Sequence, residues 1–91
     1  MLTPETTKTF EKDIVELKQS GSFNIEEFGC LLDLLLSEKQ LPNKYKNHPL
    51  KGKWIGFYDC HLSKNCVLVY RKDKHKLYLT RIGTHVKVLG L

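Results

Sequence analysis

Residues 54–83 decide the fold, and they read WIGFYDCHLSKNCVLVYRKDKHKLYLTRIG. The stretch contains three runs rich in β-branched and aromatic side chains, residues 54–62, 66–72 and 75–83, and such runs are typical of strands. The linkers SKN and DK between them are short enough for hairpins. The sequence therefore predicts an antiparallel sheet whose three strands run up, down and up.

Two helical segments precede the sheet. In residues 7–20 apolar side chains recur at helical spacing, with charged residues between them. Residues 24–39 form a second such segment, in which Asn24 is the expected N-cap and Ile25 and Cys30 belong to the buried side. We expect the two helices to form a roughly antiparallel hairpin.

The expected architecture is of the α+β class. Two N-terminal helices pack on an antiparallel sheet of three to four strands, and residues 1–91 form a single domain. A fourth strand would come from the segment before the first helix, where Pro4 argues against it. Residues 41–53 are predicted to be a loop, and residues 84–91 a short tail.

Positive charge is concentrated in one part of the chain. Fifteen lysines and arginines against ten acids give a formal net charge of +5, and residues 43–53 hold four lysines and no acid. This pattern indicates a polyanionic partner or, in the plainer interpretation, a solvated basic surface. For an RNA partner, Tyr45 or Trp54 could stack on bases. The lysines expected to grip the RNA backbone are Lys44, Lys46, Lys51 and Lys53.

The cysteines and the apolar runs bear on location. Three cysteines cannot form a complete set of disulfides, and no secretory signal is recognisable, so we expect reduced thiols in a cytoplasmic protein. The longest apolar run, FGCLLDLLL, is interrupted by Asp33 and is too short to cross a bilayer, so no membrane association is expected.

The hairpin register brings ionisable side chains to one end of the sheet. The first turn places His61 opposite Cys66 or Val67. The second turn places Arg81 opposite Cys66, so His61 and Arg81 are expected in one row. His85 follows at the same end, beyond a glycine.

The combination of His61, Arg81 and His85 suits in-line attack on a phosphodiester. A base removes a proton from the nucleophile, a fixed cation holds the charge on the phosphoryl oxygens, and an acid protonates the leaving oxygen. Taken singly, each residue has a plainer interpretation as a solvated or hydrogen-bonded surface group. A zinc site that includes Cys60 and Cys66 is disfavoured, because Cys60 and His61 are neighbours that a strand sends to opposite faces.

Several motifs follow one another in a fixed order: LPNKYKNHPLKGKWIGFYDCHL, then VLVYRKDKHKLYLTRIGTH. They cover residues 41–85 and resemble the YafQ-type toxins of the RelE superfamily, which are the toxin halves of bacterial toxin–antitoxin pairs. The resemblance implies a RelE-like fold and an mRNA interferase, an endoribonuclease that cuts messages on the ribosome without a metal or another cofactor. By motif, it implies that the catalytic residues are His48, His61, Arg81 and His85.

The resemblance also implies partners. A cognate antitoxin would wrap the toxin and block its basic surface, and operator DNA would be bound only through the antitoxin complex. The substrate would be mRNA presented by the ribosome.

Four positions depart from the family pattern, and three of them, Asn65, Cys66 and Leu89, are candidates for RNA contact. Where the family has a Pro-Asp-Trp turn, this chain has Lys64, Asn65 and Cys66, and Leu89 stands where the family has a closing phenylalanine. An amide does not titrate, and a thiol does not stack. Two alternatives to the nuclease therefore stay open: a catalytically weak or inactive RelE-fold module that acts through antitoxin or RNA binding, and a non-catalytic RNA-binding protein.

Overall fold

A computed structural model describes residues 1–21, 23–63 and 65–90. Two 3₁₀ turns, Asn43–Tyr45 and Gly52–Trp54, flank the shortest strand. The strands and helices, in chain order, are β1 (Thr3–Thr6), α1 (Lys8–Ser20), α2 (Ile25–Leu36), β2 (His48–Pro49), β3 (Tyr58–Ser63), β4 (Cys66–Lys72), β5 (Lys76–Gly83) and α3 (His85–Leu89). No helix in the described ranges is long and apolar enough to span a membrane.

Local capping signals set the helix boundaries. The Thr7 side chain accepts a hydrogen bond from the backbone N–H of Phe10, and Gly21 ends α1 in the left-handed conformation at φ 74°. Asn24 caps α2 by accepting from the N–H of Glu27, as predicted. The helix ends at Leu36 rather than near residue 39, because the chain turns into a left-handed conformation two residues later.

The five strands form one sheet in the order β1–β5–β4–β3–β2. The α+β class is confirmed, but the prediction of three to four strands was too low. Both short strands lie at the sheet edges, where β1 pairs in parallel with β5 and β2 pairs antiparallel with β3. Pro4 is accommodated because an edge strand needs ladder hydrogen bonds on one side only. The predicted loop over residues 41–53 thus contains β2.

The helix face of the sheet is the side that carries Cys60, Leu68 and Ile82, paired in one row across the three central strands. Helices α1 and α2 pack there, and each fully buried leucine contributes about 1.5–3 kcal/mol of transfer free energy. Two predictions about α2 were wrong, because Ile25 is 60% exposed and Cys30 is exposed. The buried core of this face consists of Leu2, Phe10, Leu31, Leu35, Tyr45, Cys60, Leu62, Cys66, Leu68, Tyr70, Leu77, Leu79 and Ile82.

The histidine face is the opposite side, which carries Asp59, His61, Val67, Val69 and Arg81. Its buried apolar cluster is small, because among the described residues it consists of Val67, Val69 and a valine of α3. Strand β4 is buried on both faces, which explains its continuous apolar run.

Helix α3 corrects the prediction of a short tail over residues 84–91. Thr84 caps it by accepting from the N–H of Lys87, and Val88 packs against the sheet. Gly83 has φ 155°, and a Cβ there would come within 3.2 Å of the Val88 side chain. The glycine before His85 therefore permits close packing of α3 on β5.

The observed register differs from the predicted row in one strand. His61 lies opposite Val67, one of the two expected partners. Arg81 lies opposite Val69 rather than Cys66, because the second turn is centred between Lys74 and His75 rather than near Asp73, and a bulge at Thr80 adds one further unpaired residue to β5. Arg81 is therefore one same-face row away from His61, and the side chains of both residues extend from the histidine face of the sheet.

Candidate active site

Three histidines converge at one end of the histidine face. His48 comes from β2, His61 from β3, and His85 is the first residue of α3. The ring centroids of His61 and His85 are 4.9 Å apart, and those of His48 and His61 are 6.4 Å apart. The structure thus brings together the three histidines that the sequence predicted as catalytic, with His61 in the middle.

Asp59 is a member of this cluster that the sequence analysis missed. It is 2% exposed, and the β2–β3 pairing places it directly opposite His48. One ligand atom each of Asp59, His61 and His85 lie within 4.8 Å of one another. Its position two residues before His61 in a strand was the available signal, because alternate residues share a face.

The contact between His48 and Asp59 is close but poorly directed. The Nδ1 atom of His48 lies 2.9 Å from Oδ1 of Asp59 and 2.9 Å from the carbonyl oxygen of Lys46. A single ring N–H can serve only one of them well, and Oδ1 of Asp59 has no hydrogen-bond partner among the described residues. A buried carboxylate oxygen without a partner is costly in a folded protein, and such groups are retained at functional sites.

The surroundings of His61 favour its neutral form. Burial lowers the pKa of His61 most, and the nearby charges of His85, Lys46 and His48 lower it further, whereas Asp59 acts in the opposite direction. A neutral imidazole at pH 7 has a free lone pair and can accept a proton.

The side chain of Arg81 extends from the histidine face and turns towards α1. Its Nε and Nη2 atoms donate to the two carboxylate oxygens of Asp13, at 3.1 and 3.0 Å, and Nη1 donates to the carbonyl oxygen of Lys87 at 3.4 Å. The hydrogen bonds to Asp13 raise the pKa of Arg81, so the guanidinium stays charged. The sequence analysis did not identify Asp13, although it lies three residues after Phe10 on the inward side of α1.

Asp59, His61 and His85 are also a possible set of metal ligands. Two imidazole nitrogens and one carboxylate suit zinc or copper, whereas magnesium prefers oxygen ligands. The sequence analysis considered only a set with the cysteines. Cys60 and Cys66 lie in the core of the helix face instead, where burial raises their thiol pKa values to about 12 and about 11.

The four lysines predicted to bind RNA are all exposed, but they differ in their contacts. Lys44 lies 2.8 Å from the Glu27 carboxylate and 5.0 Å from the ring centre of Tyr45. Within the described part of the chain, Lys46, Lys51 and Lys53 form no ion pair. These three therefore offer more of their charge to a polyanion than Lys44 does.

The positions that depart from the family pattern differ in their exposure. Asn65 is exposed, and together with Cys66 it lines a cavity of about 410 Å³ that also reaches Phe23 and Thr84. Leu89 is partly buried against the valines of the histidine face. Lys64, where the first turn was centred, lies outside the described residues.

Comparison with known proteins gives a consistent family. The family described as "Bacterial toxin of type II toxin-antitoxin system, YafQ" matches residues 2–90. The chain is 33% identical over 87 residues to the mRNA interferase toxin YafQ of Escherichia coli strain K12, with 94% of each sequence covered.

Solved structures agree with this comparison. The crystal structure of the E. coli DinJ–YafQ complex superposes with a TM-score of 0.85 at 32% identity, over 99% of this chain and 100% of that one. A copper-bound mutant toxin from Helicobacter pylori superposes with a TM-score of 0.91 at 31% identity, over 97% of this chain and 99% of that one.

Proposed function

This chain belongs to the YafQ family of type II toxin–antitoxin toxins, and we propose that it is an endoribonuclease that cleaves mRNA on the ribosome. The observation that supports this most is the cluster of His48, Asp59, His61 and His85 on the histidine face. Phosphodiester cleavage by general acid–base catalysis requires a proton acceptor and a proton donor within a few ångströms of each other. A nearby carboxylate can stabilise the protonated form of a histidine.

The nucleophile in this proposal is the 2′-hydroxyl of the RNA. Neutral His61 takes the proton of the 2′-hydroxyl as its oxygen attacks the adjacent phosphorus. His85 gives a proton to the departing 5′-oxygen. The products are a 2′,3′-cyclic phosphate and a 5′-hydroxyl, and no water enters the step. The low pKa of His61 supports its assignment as the base.

Charge that develops during the step needs compensation at two places. The N–H bonds of Arg81 that are not used in the protein can donate to the phosphoryl oxygens. The carboxylate of Asp59 can stabilise a histidine that has become an imidazolium, because the two lie within a few ångströms in a buried setting.

Binding of the message is assigned to the lysines beside the cluster. Lys46 lines the same surface cavity as His61, and Lys51 and Lys53 extend the positive surface. In a chain this small the site is open and shallow. We infer that the ribosome supplies much of the positioning of the message. Exposed Asn65 would line its path, and the more buried Cys66 and Leu89 would contribute only their accessible atoms, without the stacking that aromatic side chains provide.

A cognate antitoxin is the partner that would silence the enzyme. One relative has been crystallised as the E. coli DinJ–YafQ toxin–antitoxin complex. We propose that a cognate antitoxin covers the basic surface around His48 and Lys46 in this chain, and that operator DNA is bound only by that complex.

The experiment is single-turnover cleavage on programmed ribosomes. A message with a 2′-deoxy sugar at the scissile nucleotide should not be cut, whereas the same substitution one nucleotide away should leave cleavage intact. A chelator that binds zinc and copper far more tightly than magnesium should not reduce the rate. Equal cutting of the deoxy-substituted message, or loss of activity with the chelator, contradicts the proposed mechanism.

A further inference from the structure

Asp13 is a nearly buried carboxylate that the proposed chemistry does not use directly. Its side chain is 3% exposed, and it lies on α1 rather than on the strands that carry the histidines. It accepts three hydrogen bonds, from Nε and Nη2 of Arg81 and from the backbone N–H of Ile82. Because three donors bind this carboxylate, its position is fixed. Asp13 can therefore fix the position of the Arg81 guanidinium in turn.

Some N–H bonds of the Arg81 guanidinium donate within the protein, and the others remain available to a substrate. Arginine has five N–H bonds. Asp13 accepts two of them and the carbonyl oxygen of Lys87 accepts one, which leaves one N–H on Nη1 and one on Nη2. These two atoms are the ends of the planar fork that matches two oxygens of a phosphate.

The backbone around Arg81 is arranged to permit this contact. The bulge at Thr80 re-aims the residues that follow it. The Thr7 hydroxyl, at the start of α1, donates to the carbonyl oxygen of Thr80 at 2.8 Å. Thus α1 is attached to β5 on both sides of Arg81, at Thr80 and at Ile82.

The same guanidinium is connected to the helix that carries His85. Through the carbonyl oxygen of Lys87, Arg81 contacts α3, and Lys87 itself forms an ion pair with Glu16 one turn along α1 from Asp13. Helix α1 therefore contacts both of the elements that would act on the phosphate, β5 and α3.

We propose that Asp13 is a positioning residue for RNA cleavage: it holds the guanidinium of Arg81 so that its remaining N–H bonds meet the phosphoryl oxygens in the transition state. The inference rests on the proposed function, because it needs Arg81 to contact the scissile phosphate. Asp13 itself touches neither the substrate nor the histidines, and its effect on the rate passes through Arg81.

The test is a double-mutant cycle of Asp13→Asn and Arg81→Ala, measured as single-turnover cleavage at saturating toxin. Asparagine keeps the shape and can still accept from Ile82, but it presents an uncharged amide to Arg81. In the wild-type background Asp13→Asn should slow cleavage about tenfold or more, with a smaller change in the half-saturating toxin concentration. In the Arg81→Ala background it should cause no further decrease.

Glu11→Gln is the matched control, because it removes the same charge from the same helix, its carboxylate accepts from Thr6 rather than from Arg81 or α3, and it should leave the rate near wild type. Spectroscopy gives an independent readout: the Nε–H proton of Arg81 should exchange slowly with solvent in the wild type and rapidly in Asp13→Asn. Should Asp13→Asn not fold, Asp13→Glu replaces it in the cycle, since it keeps the charge but moves the carboxylate by one methylene.

Two results would overturn the inference while leaving the proposed function intact. One is a wild-type rate for Asp13→Asn when Arg81→Ala is slow. The other is an equal decrease from Asp13→Asn in both backgrounds, which would mean that Asp13 acts independently of Arg81. A wild-type rate for Arg81→Ala would remove Arg81 from the proposed function, and this inference with it.

Discussion

The two faces of the sheet are built in opposite ways. Among the described residues, the helix face buries thirteen apolar side chains in one cluster against α1 and α2, whereas the buried apolar cluster of the histidine face consists of three valines. Where the helix face has aliphatic and aromatic groups, the histidine face has a buried carboxylate with an unpartnered oxygen and three histidine rings in a row. The fold thus derives most of its stability from one side and keeps costly ionisable groups on the other.

This difference teaches where each kind of mutation should act. Removal of a buried aliphatic group reduces the free energy of unfolding, because transfer energy is forfeited and a cavity is left. Removal of an ionisable group from a site with little packing reduces the rate of the chemical step instead. Mutations on each face test whether stability and catalysis are separate, and the largest expected effect is on stability.

Mutations on the helix face should reduce the stability of the fold. Leu68 is fully buried at the centre of β4, so Leu68→Ala should reduce the free energy of unfolding by about 2–5 kcal/mol. Urea denaturation followed by circular dichroism measures this decrease, and cleavage per folded molecule should stay near wild type. A catalytic defect in the folded fraction would mean that the two faces are not separable.

Mutations of the ionisable residues on the histidine face should reduce the rate of RNA cleavage. His85 is only partly buried and is the first residue of α3, where alanine is well tolerated. His85→Ala should reduce single-turnover cleavage about a hundredfold or more, with little change in the melting temperature. The matched control is His75→Ala, in the exposed turn before β5. Equal rates for the two variants would show that His85 has no part in the chemistry.

The lysines should affect RNA binding rather than either stability or chemistry. Replacing Lys51 and Lys53 by glutamine should reduce the salt dependence of RNA affinity by about one unit of slope for each phosphate that is no longer neutralised. Lys44→Gln should change the slope less, because its ammonium group already lies 2.8 Å from Glu27. Filter binding across a salt series compares them. A larger effect from Lys44 would place the RNA surface along α2.

The smallest expected effect is the pH dependence that His61 confers. Its pKa is lowered from 6.5 by burial, so the unfolded chain binds more protons than the folded chain just below pH 6.5. Stability should therefore fall as the pH falls below 6.5, and His61→Gln should flatten that dependence. The acidic limb of the cleavage profile should likewise lie below pH 6.5. An acidic limb above 6.5 would argue against neutral His61 as the base.

Much of the helix face could be predicted from the sequence. The spacing of apolar residues in α1 and the cap Asn24 are local signals, and they predicted the two helices and their boundaries to within a few residues. The β-branched and aromatic run of β4 likewise predicted a strand, and the short linkers on either side placed it between the other two. Ile25 was assigned wrongly because helical periodicity places residues on a stripe but does not say how far that stripe is covered.

The histidine face could be predicted only in part. Turn lengths placed His61 opposite Cys66 or Val67, and Val67 is its partner. Arg81 was assigned to the wrong row because the second turn is centred one residue later than predicted and the bulge at Thr80 has no distinct sequence signal. The partner of Arg81 comes from a helix 68 residues earlier in the chain. Contacts of that kind depend on tertiary packing and leave no mark on local spacing.

The central claim is that the histidine face cleaves RNA by attack of the RNA's own 2′-hydroxyl. Mass spectrometry of the fragments from a short single-turnover reaction tests this most directly. The account predicts a 2′,3′-cyclic phosphate on the upstream fragment and a 5′-hydroxyl on the downstream fragment, both absent with His85→Ala. A 3′-hydroxyl upstream and a 5′-phosphate downstream would mean that water is the nucleophile, and would contradict the account.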